Sequence, residues 1–97
     1  MSSESTNGKN DAKAWWARFG ALLDSQTEWP SDYLFKFIVP RQRLEEVKDV
    51  FDGEKLVVRA SSRGRYLSVT ARVRVGSSED VIAIYEAAGS IEGVISL

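Results

Sequence analysis

The stretch from Lys55 to Val75, KLVVRASSRGRYLSVTARVRV, predicts two β-strands, over 55–61 and 65–75, joined by a tight turn. Apolar and polar residues alternate through both halves, which is typical of strands with one buried and one solvated face. The turn falls at Ser62-Arg63-Gly64, where the glycine suits a hairpin reversal. The side chains expected to face the core are Leu56, Val58, Ala60, Leu67, Val69, Ala71, Val73 and Val75.

The same region carries the most uneven charge in the chain. From Lys55 to Ser78 there is no acidic residue, and the six basic residues are Lys55, Arg59, Arg63, Arg65, Arg72 and Arg74. The whole chain has a formal net charge of -1. Any attraction for an anionic partner is therefore expected to be local to the hairpin.

The segment before the hairpin predicts a strand and a helix. Tyr33 to Val39 has the aromatic and β-branched composition of a strand, and Pro40 ends it. Phe35, Phe37 and Val39 are expected to face the core, with Leu34, Lys36 and Ile38 on the other side. A helix is predicted from Pro40 to about Phe51, with Gly53 as its left-handed cap.

The segment after the hairpin predicts a second helix and a short last strand. Ser77 with Asp80 resembles a capping box, so a helix is expected to begin there and to end at Gly89. Val94 to Leu97 is then expected to form a strand. The resulting order, β-α-β-β-α-β, predicts an α+β ferredoxin-like sandwich over residues 33–97. Its four-stranded antiparallel sheet would be covered by two helices on one face and open on the other.

Two segments precede this unit. Residues 1–10 are small and polar and are predicted to be a disordered tail. Residues 11–32 are predicted to be an extra amphipathic helix, to about Asp24, followed by a connector in which Trp29 packs onto the fold. The apolar stripe of the helix contains Trp15, Trp16 and Phe19. This stripe could pack on its own domain, on a second copy or on another protein. Packing on its own domain is favoured, and the stripe is expected to cover the open face of the sheet.

Composition argues against an enzyme. The chain contains no Cys and no His, so it has no thiol nucleophile, no disulfide and none of the commonest metal ligands. No nucleophile, base and orienting group fall into a catalytic pattern, and no catalytic residue, metal or cofactor is predicted. The first ten residues lack a secretory signal and no apolar run approaches a membrane span, so a cytoplasmic protein with no membrane partner is expected.

Two segments also resemble the YbeD-like family of small bacterial proteins. They are Phe35-Lys36-Phe37-Ile38 in the first strand and the run from Ser61 to Thr70 around the hairpin. The helix from Ser78 to Tyr85, followed by a closing hydrophobic strand, also fits the family. The resemblance covers residues 33–97, and the hairpin is its specific part. It implies an ACT-like ferredoxin fold, a bacterial cytoplasm and a regulatory role, but it brings no catalytic residues or cofactor.

The candidate binding surface is the hairpin turn with the open sheet face. Its residues are Lys36, Arg59, Arg63, Arg65, Tyr66 and Arg72, and the N-terminal stripe of Trp15, Trp16 and Phe19 is a second candidate interface. One hypothesis is that the basic surface binds a partner. The other is a solvated face whose arginines pair with helix acids.

The class of partner is a separate question. An unidentified protein partner is favoured, and a homodimer through either the sheet or the N-terminal helix stays open. A small anion or RNA is the alternative. RNA is less favoured because an RNA-recognition sheet stacks bases on outward aromatics, and only Tyr66 is expected to supply one.

Overall fold

The computed structural model describes residues 8–52 and 54–97, with side chains from residue 12 onward. In these ranges the chain forms three α-helices and four strands, in the order α-β-α-β-β-α-β. They are α1 (Gly8–Gln26), β1 (Ser31–Pro40), α2 (Leu44–Phe51), β2 (Leu56–Ala60), β3 (Tyr66–Val75), α3 (Ser78–Gly89) and β4 (Ile95–Ser96). A single 3-10 turn, Arg41–Arg43, joins β1 to α2. No helix in these described ranges is long and apolar enough to cross a membrane.

The four strands form one antiparallel sheet in the order β2-β3-β1-β4. β1 and β3 pair along their whole length, from Ser31 opposite Val75 to Pro40 opposite Tyr66. β2 lies outside β3, and the two-residue β4 lies outside β1. The chain is therefore an α+β protein whose architecture is compatible with a ferredoxin-like fold carrying an N-terminal helix, as predicted.

The core lies on one side of the sheet, where alternate side chains of β1 and β3 meet α2 and α3. Phe35, Phe37 and Val39 are fully buried, which confirms their predicted direction. The other buried apolar side chains in the described ranges are Val47, Phe51, Leu67, Val69, Ala71, Val73, Val75, Val81, Ala88 and Ile91. Alternation in the sequence thus placed the central strands correctly.

The prediction for β2 was wrong in part. Val58 pairs with the buried Val69, yet it is 37% exposed, and Ala60 is exposed as well. β2 is the edge strand beyond β3, and α2 has only eight residues, so the inward side of β2 is not fully covered. The alternation of apolar residues in a strand indicates which way each side chain points. Whether that side chain is buried depends on how far the helix above the sheet extends.

Local signals at the helix ends were only partly correct. The Ser77 hydroxyl accepts from the Asp80 amide at 3.2 Å, and the Asp80 carboxylate accepts from the Gly76 amide at 3.1 Å, which confirms the predicted cap of α3. Pro40 does not open α2; it is the last residue of β1. The left-handed residue after α2 is Asp52, with φ of 42°. The prediction for Gly53 lies outside the described residues.

Helix α1 does not lie over the open sheet face, and that expectation was wrong. Its Trp16 and Phe19 contact Tyr85 of α3, and Tyr85 in turn contacts the core-facing Phe35. α1 therefore lies on the helical side, because α3 offers it an aromatic side chain to pack against. It also begins at Gly8, inside the segment predicted to be a tail, of which residues 1–7 lie outside the described residues.

The connector after α1 behaves as predicted. Trp29 is partly buried against the core, and its indole N–H donates to the Asp24 carboxylate at 2.9 Å. The Trp29–Pro30 peptide bond is cis. Trp29 therefore fixes the chain between α1 and β1 from both sides, through apolar packing and a hydrogen bond.

Candidate binding surface on the open sheet face and hairpin

The side of the sheet away from the helices carries the residues that point outward from β1, β2 and β3. The pairing places Lys36 opposite Thr70, Arg72 opposite Leu34, and Arg59 opposite Ser68. Neighbouring strands in a sheet lie about 4.8 Å apart, so these side chains form one continuous surface. We call this surface the basic face, defined by Lys36, Arg59, Tyr66 and Arg72.

Apolar side chains are interspersed with these cations. Val57 is 55% exposed and Tyr66 is 47% exposed, and Leu34 and Ile95 are also exposed. Val57 and Lys36 lie opposite Thr70 from its two sides, on β2 and β1, and Ile95 lies opposite Ile38. The basic face is therefore mixed in character, with exposed apolar area between the positive charges.

The cations of the basic face have no acidic partner among the described residues. Within the described part of the chain, no carboxylate oxygen lies within 4.0 Å of the charged group of Lys36, Arg59 or Arg72, nor of Arg63 or Arg65. The hypothesis of arginines paired with helix acids therefore finds no support at these positions.

In the described ranges, three ion pairs lie away from the basic face, at Arg43 and on α2, and a fourth lies at its margin. At the margin Arg74 pairs with Asp32 at 3.3 Å, and this acid comes from β1 rather than from a helix. The pairs at α2 are Arg43 with Glu46, Arg43 with Glu92, and Lys48 with Glu45. The hydrogen bond that Arg43 donates to the Glu46 carboxylate raises the pKa of the Arg43 guanidinium. In the same described ranges, ion pairing therefore involves cations beside the basic face and leaves those at its centre without an acidic partner.

The hairpin turn has the predicted form. Gly64 has φ of 73°, a left-handed conformation that glycine adopts at little cost. Its amide donates to the Ser61 carbonyl at 3.0 Å, and the Ser61 amide donates to the Tyr66 carbonyl at 2.9 Å. Arg63 and Arg65, on either side of this glycine, are both exposed. The turn therefore presents two cations at one end of the basic face.

Sequence reasoning missed Arg41, which lies against this turn. The Arg41 amide donates to the Arg65 carbonyl at 3.0 Å, and its side-chain Nε donates to the Gly64 carbonyl at 2.6 Å. The signal was present in the topology: because Pro40 pairs with Tyr66, the residue after β1 must meet the residue before β3. A shallow cavity of about 290 Å³ results, lined by Pro40, Arg41, Gln42, Gly64, Arg65 and Tyr66.

The N-terminal stripe is divided between core and surface. Trp16 and Phe19 are half-buried, with ring centroids 6.3 Å and 5.9 Å from that of Tyr85, so they pack on their own domain as favoured. Trp15 stacks on Phe19 at 5.4 Å but is 51% exposed. A second cavity of about 300 Å³ lies between the three aromatics, Tyr85, Ser96 and Leu97. Their role as an interface stays a prediction.

Tyr85 connects the stripe to the core. Its hydroxyl lies 3.1 Å from that of Tyr33, and its ring contacts Phe35 and Phe37. Burial, and then the hydrogen bond with Tyr33, raises the pKa of Tyr85. The shift follows from packing, and Tyr85 is not placed to act on a ligand of the basic face.

Fold and surface together define a small ferredoxin-like α+β sandwich with an open, positively charged sheet face. Residues 24–97 match the model of DUF493, described as a protein of unknown function, and the chain belongs to this family. The match begins at Asp24, so it includes the connector with Trp29 but excludes most of α1 and its aromatic stripe. No curated protein and no solved structure matches the chain.

Proposed function

We propose that the chain is a non-enzymatic protein-interaction module of the cytoplasm, with a regulatory role, that binds an acidic segment of a partner protein. The binding surface comprises the basic face together with Arg63 and Arg65 of the hairpin. The observation that carries the proposal is the mixture on this surface. Cations with no carboxylate in ion-pairing distance, within the part of the chain that the structure describes, lie among exposed apolar side chains.

Each component of the mixture has a separate consequence. Unpaired arginines attract carboxylates and steer their approach, which raises the association rate and favours acidic partners. Exposed apolar area adds roughly 25 cal/mol for each Å² removed from water. A protein segment with both acidic and apolar residues satisfies both components. A polyanion without apolar groups would satisfy the cations only, because it would place polar atoms against Val57 and Leu34.

Tyr66 lies where the two components meet. It is exposed at the hairpin end of β3, between Arg65 and the open face, and tyrosine is one of the residues that dominate protein interfaces. Its ring supplies apolar area while its hydroxyl can bind a polar group. Tyr66 is therefore expected to be the central contact of the surface.

RNA binding is the second candidate, and the geometry favours it less. The two phenylalanines of β1 are fully buried on the helical side, so Tyr66 alone offers an outward ring on β1 and β3 in the described ranges. Stacking of successive bases needs at least a second such ring. The remaining attraction would be phosphate contacts alone, whose affinity falls steeply with salt.

The regulatory role rests on the resemblance to the YbeD-like family and on the analogy of its fold with ACT domains. Such an analogy does not assign a function by itself, since one fold supports many functions. Membership of DUF493 is consistent with a regulatory role but does not assign one. The interaction surface is therefore the part of the proposal that an experiment should address first.

The test is capture of partners from a native cytoplasmic extract by the full-length chain. The variant Arg63→Glu/Arg65→Glu reverses two charges of the surface, and Lys13→Glu/Arg18→Glu makes the same charge change on α1. We expect the first variant to lose a discrete protein partner and the second to keep it. Both should stay within about 0.5 kcal/mol of the parent in stability, because all four side chains are exposed.

Two results would overturn the proposal. One is equal capture by both variants, which would remove the hairpin from the interface. The other is recovery of RNA in place of a protein, released as salt increases, which would favour the second candidate. A protein partner that depends on Arg63 and Arg65 and withstands moderate salt supports the proposal, because its apolar contacts are not screened.

A further inference from the structure

The guanidinium of Arg41 is held in place by the backbone of the hairpin. Its Nε donates to the Gly64 carbonyl at 2.6 Å, and the Arg41 amide donates to the next carbonyl, that of Arg65, at 3.0 Å. A long side chain normally loses rotamer freedom when it binds a ligand. Arg41 has already lost part of that freedom in the free protein, so it is preorganised.

Gly64 makes room for this arrangement. A Cβ atom at this position would lie 3.4 Å from Nη2 of Arg41, and φ of 73° would strain any other residue. Because Nε is occupied by the Gly64 carbonyl, the Nη groups of Arg41 remain as donors. Arg65 and Tyr66 line the same cavity of about 290 Å³. Two arginines and a tyrosine are therefore among the residues that line the cavity.

We propose that this cavity binds a phosphate monoester, with Arg41 and Arg65 as its cationic ligands and the Tyr66 hydroxyl as a third donor. A carboxylate has two oxygens, which a single guanidinium satisfies by two parallel hydrogen bonds. A phosphate monoester offers three terminal oxygens and close to two negative charges at neutral pH. It is the anion that uses two guanidinium groups and a hydroxyl at once.

No acidic side chain of the described residues pairs with these donors. In the described ranges, Arg41 and Arg65 have no carboxylate within 4.0 Å. The nearby Gln42 is neutral and can donate an amide hydrogen to a further oxygen. Each guanidinium carries a full positive charge at every physiological pH, so the site is charged before the ligand arrives.

This site goes beyond the proposed function, because a small phosphorylated compound needs no partner protein. The two share Arg65 and Tyr66, but each also has a residue of its own. Arg41 lines the cavity and is not part of the basic face, whereas Arg72 lies on the basic face and does not line the cavity. Variants at these two positions therefore separate the failure of one proposal from the failure of the other.

The experiment is a titration of the isotope-labelled full-length chain, followed through its backbone amide resonances. The probes are inorganic phosphate, glycerol phosphate as a monoester, and dimethyl phosphate as a diester. We expect saturable shifts centred on Gly64 and Arg65 with the monoester, and weaker ones with the diester, which carries one charge fewer. Saturation by inorganic phosphate as well would show that the free ion is also a ligand.

Arg41→Gln should weaken monoester binding roughly tenfold, and Arg41→Lys nearly as much, since lysine keeps the charge but loses the planar fork that the Gly64 carbonyl orients. Arg72→Gln should bind the monoester as the parent does. Shifts that do not saturate, or equal affinities for the parent and both Arg41 variants, would overturn the proposal. Equal weakening by Arg72→Gln would also overturn it, because the binding would then be general attraction to the basic face.

Discussion

The phenolic oxygens of Tyr33 and Tyr85 lie 3.1 Å apart, joining the start of β1 to the middle of α3. Replacing either residue by Phe leaves the other hydroxyl half-buried without this partner. We expect each single variant to lose about 1 kcal/mol of unfolding free energy. The double variant should lose little more than one single variant, because it leaves no orphaned hydroxyl. Denaturant titration measures all three.

Tyr66→Phe is the matched control, since the Tyr66 ring is exposed and no hydrogen bond of its hydroxyl is found in the described ranges. It should unfold at the same denaturant concentration as the parent. Strictly additive losses in the Tyr33 and Tyr85 variants would show that the two hydroxyls do not interact.

Alkaline pH should destabilise the protein through Tyr85. Burial and the hydrogen bond with Tyr33 raise the pKa of Tyr85 above its ordinary value of 10.0. The folded state therefore keeps this proton at a pH where the unfolded chain loses it. The corresponding stability is fully present below about pH 10 and declines as pH rises above it. Denaturant titrations from neutral to alkaline pH should show this decline, and Tyr85→Phe should show less of it.

The N-terminal aromatics should differ in their effect on stability. Trp16 is half-buried with its ring against Tyr85, whereas Trp15 is 51% exposed. We expect Trp16→Ala to cost about 2 kcal/mol, below the 3–5 kcal/mol of a fully buried aromatic. Trp15→Ala should cost less than about 1 kcal/mol. Thermal unfolding of the two variants side by side gives the comparison, and equal losses would place Trp15 in the core.

The sequence predicted the sheet well because its two central strands are covered on one face only. Alternation then fixes which side chains are buried, as at Phe35 and Phe37. The same logic could not locate α1, because an aromatic stripe shows that a helix packs without showing on what. That depended on Tyr85 of α3, which lies 69 residues after Trp16 in the chain.

The residues of the candidate site also differ in whether local sequence signals could predict them. Arg59 and Arg72 were placed on one face by period-two alternation, and Arg63 and Arg65 by turn chemistry, all of which are local signals. Arg41 was missed because its role depends on a contact with Gly64, 23 residues away. Once Pro40 is known to pair with Tyr66, the contact between Arg41 and Gly64 is expected. The strand register of β1 and β3, rather than a local sequence motif, therefore predicts it.

Gly93 should tolerate no side chain. It has φ of 87°, and a Cβ there would lie 2.6 Å from Cγ of Pro40, at the end of β1. Gly93→Ala should therefore lose about 2 kcal/mol or more, through backbone strain and the clash with a rigid ring. Gly89→Ala, at the end of α3 with nothing within 4 Å of its Cβ, is the control and should be neutral or slightly stabilising. Thermal unfolding of both distinguishes local strain from a general cost of losing glycine.

Arg72 and Arg74 provide the sharpest test of the basic face, because they share a strand and a direction but differ in pairing. Arg74 has Asp32 at 3.3 Å, whereas Arg72 lies opposite the apolar Leu34. Arg72→Gln removes an unpaired charge, so it should reduce capture of the partner severalfold and lower the salt dependence of the association rate. Arg74→Gln removes a charge that is already offset, and its capture should match that of the parent. Surface plasmon resonance with the captured partner, at two salt concentrations, measures both effects. Equal losses in the two variants would mean that total charge, rather than the unpaired cations at the centre of the face, determines binding.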